Sequence, residues 1–117
     1  MRMLFDDAVE LNKTHAPAAD TAAVATVDAV ASDFWVLDSI HFGYDKAPGD
    51  VETLVVTIGG VTVFTLYIPN DIDVAGPHEV LFPKGLYVGV NNKNEALVVT
   101  LSAATGTCKG SVNITYR

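Results

Sequence analysis

The run Thr53-Leu-Val-Val-Thr-Ile58 is followed by Gly59-Gly60 and then by Val61-Thr-Val-Phe-Thr-Leu-Tyr-Ile68. Two stretches of apolar and β-branched residues around a two-residue Gly-Gly turn form a β-hairpin signature, because glycine accepts the positive φ angles that tight hairpin turns demand. The same grammar runs from Phe34 to Tyr116, with short strand-like runs broken by Gly, Pro, Asn and Asp. Spacing of this kind predicts seven or eight strands and no helix in the main body. The expected fold is all-β: a single antiparallel β-sandwich with an N-terminal arm. Jelly-roll and immunoglobulin-like topologies both remain open, since strand order cannot be read from alternation.

Along the chain, residues 1–33 form an N-terminal arm and first strand, and residues 34–117 form the sandwich body. Leu4, Phe5, Val9 and Leu11 fit either a short amphipathic helix or an extended arm pinned to a surface. Thr21 to Val30 alternates like a thinly packed strand, although its alanines keep a helix open. From Phe34, the set Phe34, Val36, Asp38, Ile40 and Phe42 alternates with Trp35, Leu37, Ser39, His41 and Gly43, so both faces carry large apolar groups at the start of the strand, which should be central or covered on its outer face. Pro77, Pro83 and Gly85 limit His78 to Phe82 and Leu86 to Val90 to short edge strands. Leu97, Val99 and Leu101 share one face of the next strand, and Val112, Ile114 and Tyr116 share the inward face of the last.

At 117 residues the chain is long enough for one core and no second domain. Half of its residues are hydrophobic and 18% are charged, an apolar balance that suits burial between subunits. The net charge of −7, with basic residues scattered singly, argues against nucleic acid as a partner. Residues 1–45 hold eight acids against Arg2 and Lys13, so an acidic N-terminal segment could either solvate the chain or meet a basic surface. No run of about 18 apolar residues exists to cross a membrane, and Asp6-Asp7 interrupts the apolar stretch a signal peptide would need. One cysteine, Cys108, excludes an internal disulfide and suits a reducing cytoplasm; it reads as a structural thiol.

The search for chemistry ends without an enzyme. His15, His41 and His78 fall in the arm, in a strand and beside a proline turn, with no Gly-x-Ser-x-Gly elbow to present a nucleophile. No metal-binding His pair is spaced for a helix, and no cofactor is expected. Asp71 and Asp73, in Asn70-Asp71-Ile-Asp73, are the calcium candidates, but the loop lacks the glycine and terminal Glu of an EF-hand, and Asx turn formation is its ordinary explanation. Sugar binding would need exposed aromatics. Trp35, Tyr44, Phe64, Tyr67 and Tyr87 are candidates, with Tyr44 and Tyr87 expected nearest the surface and the others in the core.

One resemblance covers about 80 residues. Val36-Leu-Asp-Ser-Ile40, Gly43-Tyr44-Asp45, Pro48-Gly49, the Gly-Gly hairpin, Pro83, Asn91-Asn92, Ala96-Leu-Val-Val-Thr-Leu-Ser-Ala103 and Gly110-Ser-Val-Asn-Ile-Thr-Tyr116 occur in an order that resembles small β-sandwich virion proteins of tailed bacteriophages. The resemblance implies a capsid decoration (cement) protein, commonly a trimer, assembled in the host bacterial cytoplasm and located on the virion surface with the major capsid protein as partner. A phage fibre or tail-associated module, or another carbohydrate-binding β-sandwich, is the alternative. Charge and position make Leu4 and Phe5 the expected apolar anchors of a capsid or subunit interface, and Asp6, Asp7 and Glu10 its acidic contacts.

Overall fold

The computed structural model describes residues 11–31, 34–70, 78–87 and 94–117. Among them run eight strands: β1 (Leu11–His15), β2 (Ala23–Val27), β3 (Leu37–Tyr44), β4 (Glu52–Ile58), β5 (Val61–Ile68), β6 (His78–Leu86), β7 (Leu97–Leu101) and β8 (Gly110–Tyr116). They form two antiparallel four-stranded sheets, ordered β1-β8-β3-β6 and β2-β7-β4-β5. Strand 1 thus pairs with 8, 2 with 7, 3 with 6 and 4 with 5, which is the wound double Greek key of a jelly roll. An immunoglobulin sandwich divides its strands between the sheets differently.

The core lies between the sheets and is built by alternation. Leu54, Val56 and Ile58 of β4, Leu97, Val99 and Leu101 of β7, Ile40 and Phe42 of β3, and Val112, Ile114 and Tyr116 of β8 all point inward and are buried. Two ring pairs add to it: Phe64 of β5 meets Phe82 of β6 edge-on at 5.3 Å, joining the edge strands of the two sheets, and Trp35 meets Tyr116 at 5.4 Å. In β2, Ala23 and Ala25 are buried against β7 as strand residues, so tertiary pairing overrides the helix preference of alanine.

One open expectation is settled and two change. Of the two forms open to Leu11 the structure takes the extended one, because β1 pairs along its whole length with β8. The strict alternation expected through Asp38 breaks at a β-bulge there, so that Leu37 and Ile40 are both fully buried while Asp38 turns aside to meet Arg117. Finally, the span around Pro83 is one nine-residue edge strand. Leu81 pairs with Ser39 and Leu86 with Leu37, and residues 82–85 bulge out of the ladder between them, which is how a sheet edge accommodates Pro83.

The Gly-Gly hairpin forms as expected, with Gly59 at φ +61° and Gly60 at φ +82°. Nothing lies within 4 Å of a Cβ added at Gly60, so Gly60→Ala isolates the backbone cost. It is expected to destabilise by about 1–2 kcal/mol, the penalty of a side chain in left-handed backbone, read as a lower urea midpoint at unchanged slope.

Candidate interaction surfaces

Each sheet presents one face to solvent, and the registers name what stands there. On the β1-β8-β3-β6 sheet the outward residues are mostly polar, with Leu81 exposed opposite Ser39 as the apolar exception. Thr14, Asn113, His41 and Glu79 lie side by side across all four strands. The row is joined internally: the Thr14 hydroxyl donates to Asn113 Oδ1 at 3.0 Å, and His41 Nε2 meets Glu79 Oε2 at 2.5 Å. Ser39 and Thr115 hydroxyls bond one another in the neighbouring row. A groove of about 640 Å³ runs past Thr14, His41 and Asn113 to Pro17, Asp45 and Lys109.

The outward face of the β2-β7-β4-β5 sheet is of another kind. Its paired rows read Thr26–Val98–Thr57–Thr62, Val24–Thr100–Val55–Thr65, and Thr53–Tyr67. None of these ten side chains is charged, on a chain with 21 charged residues. Tyr67 is 71% exposed at its edge.

A third constellation is structural. The loop before β8 is held from two sides by aspartates. Asp20 accepts the amides of Thr107 and Cys108 at 3.3 and 3.1 Å, and its own amide donates to the Cys108 carbonyl at 2.9 Å. Asp45 accepts the Lys109 amide at 2.8 Å, and that hydrogen bond holds its carboxyl below the usual carboxylate range. Between them Cys108 is buried, its thiol donating to the Lys46 carbonyl at 3.4 Å and pushed up in pKa by desolvation. A raised thiol pKa leaves less of the nucleophilic thiolate, in keeping with a structural residue.

At the far end of the β4-β5 sheet, Ser102 carries a small polar network. Its hydroxyl donates to the buried Glu52 at 2.8 Å and accepts the Thr53 amide at 2.8 Å, while its carbonyl accepts the Tyr44 hydroxyl at 2.7 Å. Every group in it is bonded, as burial requires.

The expected site residues divide accordingly. Leu4, Phe5, Asp6, Asp7 and Glu10, and the calcium candidates Asp71 and Asp73, lie outside the described residues. His41 is the hydrogen-bonded strand histidine its position implies. His15 accepts the Val24 amide at 2.9 Å, and His78 stacks on Phe42 at 5.5 Å with its Nε2 buried and unbonded among the described residues. The structure does not bring the three histidines together, and among the described residues no group of three or more His, Cys, Asp or Glu could hold a metal ion. Tyr44, expected near the surface, is only 6% exposed, because β3 turns it inward beside Phe42 and Ile40. Tyr67, expected in the core, is the exposed ring. The signal for it was present in the alternation of Phe64, Leu66 and Ile68 with Thr65 and Tyr67.

No protein-family model matches the chain, and no curated protein matches it. Among solved structures, the CBM36-1 domain of a multidomain xylanase from the hindgut metagenome of Trinervitermes trinervoides superposes with a TM-score of 0.55 at 12% identity, covering 92% of this chain and 95% of that one. A chain of the T13 IBDV viral particle overlaps at a TM-score of 0.33 and 16% identity, with 91% of this chain and 31% of that chain covered. The second overlap is too slight to argue from. The first identifies a shared architecture: this chain is a β-sandwich of the kind found in a carbohydrate-binding module.

Proposed function

We propose that this chain is a non-catalytic structural module of a virion, a decoration (cement) protein that binds the outside of a phage head. The observation that carries the reading is the uncharged outward face of the β2-β7-β4-β5 sheet. A broad face without charge costs little to desolvate, so it suits docking against another protein, and the charge held elsewhere keeps the free module soluble. The jelly roll supplies a rigid body behind that face. Binding only the assembled shell would stabilise the shell by mass action. Leu4, Phe5, Asp6, Asp7 and Glu10 would add an arm reaching onto the neighbouring capsid protein.

A sugar-binding module is the second reading, favoured by the groove that runs past Thr14, His41 and Asn113 and carries hydrogen-bonding groups among apolar ones. Against it, the exposed Tyr67 stands on the opposite sheet from that groove, and Tyr44, which lines it, is buried. Stacking platforms for sugar rings are built from exposed aromatics.

The test is a titration of the purified chain onto expanded, undecorated heads of the phage that encodes it. Saturable binding is expected, weakened about tenfold or more by Thr100→Lys, which sets a charge in the centre of the face. Removal of residues 1–10, which leaves β1 intact, is expected to weaken binding as well. Absence of saturable binding, together with retention on a panel of immobilised glycans, would transfer the assignment to the second reading.

A further inference from the structure

Four strands form the edges of the two sheets, and three of them are guarded against pairing with another chain. β1 carries Lys13. β2 is five residues long, and its Val24 amide is already taken by His15 Nδ1. β6 carries Glu79, Pro83 and Lys84 and bulges at residues 82–85. Short length, charge, proline and bulges are the usual protections of an edge.

β5 has little of this. It is eight residues long and holds neither a charged residue nor a proline. Its one irregularity, the extra residue Val63, sits beside the turn and leaves Phe64–Ile68 as a regular stretch. No second strand pairs with β5 among the described residues.

We infer that β5 is a self-association edge, at which a second copy of this chain adds its own β5 antiparallel about a two-fold axis. Charge selects the occupant. Two molecules of net charge −7 repel one another over most of their surfaces, and they approach at least cost where neither presents an acid. β5 and the outward rows behind it meet that condition. A basic partner would be drawn to the acid-bearing surfaces elsewhere.

Geometry then sets the register. With the axis perpendicular to the sheet, outward residues must oppose outward residues, and the register that uses the whole regular stretch is centred on Leu66. It places Thr65 opposite Tyr67 of the copy on the outer face and Phe64 opposite Ile68 on the inner one. Tyr67, the most exposed large hydrophobic among the described residues, gains cross-strand contacts in both halves. Two four-stranded sheets become one of eight strands, with an uncharged outer face twice as wide. A surface that repeats itself about a two-fold is the commonest route to a closed oligomer.

Sedimentation equilibrium of the full chain, up to about 0.5 mM, tests this. A monomer–dimer equilibrium is expected. The double variant Thr65→Lys/Tyr67→Lys should weaken it at least tenfold with little change in melting temperature, since both side chains point to solvent, while Thr26→Lys at the other margin of the same face should leave it unchanged. Hydrogen exchange on the unaltered protein is the second measurement: amides of Phe64–Ile68 should gain protection as concentration rises. A monomer throughout, a trimer such as the phage resemblance implies, a dimer indifferent to the β5 variant, or exchange at β5 independent of concentration would each overturn the two-fold pairing. None of these outcomes depends on binding to heads, so this inference and the decoration reading stand or fall separately.

Discussion

Leu54→Ala is expected to remove about 2–5 kcal/mol of folding stability, the range for truncating a fully buried leucine in a core that relaxes only partly around the cavity. Leu54 is wholly buried on β4, which pairs with β7 on one side and β5 on the other, and it faces the sandwich interior between Leu101 and Leu66. A domain of this size holds about 5–15 kcal/mol in all, so the variant should lose a large share of its stability and unfold at a clearly lower urea concentration. The control is one residue away: Val55 points outward, and Val55→Ala should cost under about 1 kcal/mol. Urea denaturation of both variants decides the matter. Equal losses would mean that β4 does not present these two side chains to opposite faces.

The second large effect is alkaline. Burial of Tyr44, with the Glu52 carboxylate adding in the same direction, pushes its phenol up to about 12 in the folded protein. An unfolded tyrosine titrates near pH ~10. The folded state therefore holds this proton more tightly than the unfolded state, so the stabilisation is complete below pH ~10 and is lost as pH rises from there through about 12. Two pKa units set an upper bound of about 2–3 kcal/mol, which solvent screening at the edge of the sandwich reduces. Cys108, whose thiol burial also pushes up, contributes in the same sense. Tyr44→Phe separates the two: it should cost about 1 kcal/mol at neutral pH, by leaving the Ser102 carbonyl without its donor, and then lose stability less steeply than the unaltered protein above pH ~10. Parallel stability curves for the two proteins across that window would show that Tyr44 does not govern the alkaline transition.

Much of the strand content was legible because alternation is a local property. The Gly-Gly hairpin, the inward set Leu97, Val99 and Leu101, and the inward set Val112, Ile114 and Tyr116 needed only the two-residue period of a strand and the φ freedom of glycine. The central place of β3 agrees with the large apolar groups at its start, although its outward face beyond the bulge is Ser39 and His41. The two misplaced rings show where this reasoning stops. Tyr44 follows Ile40 and Phe42 on the inward face of β3, but its burial needs the opposite sheet, where the Ser102 carbonyl accepts its hydroxyl 58 positions away. For Tyr67 the alternation with Phe64, Leu66 and Ile68 was legible, but which of the two faces is the inner one was set only by the packing of the sheets.

By itself, then, the amino-acid sequence determined the secondary-structure class, most of the strands, and the absence of a recognisable catalytic motif, because each rests on residues near one another in the chain. The tertiary structure alone decided that the sandwich is a jelly roll, that one outward face is mostly bonded polar side chains and the other is uncharged Thr and Val edged by Tyr67, and that β5 is the least guarded edge. Those properties arise from pairing between strands as far apart as β1 and β8. A face is assembled from side chains that four separated segments each contribute, so its chemistry exists only once their register is set.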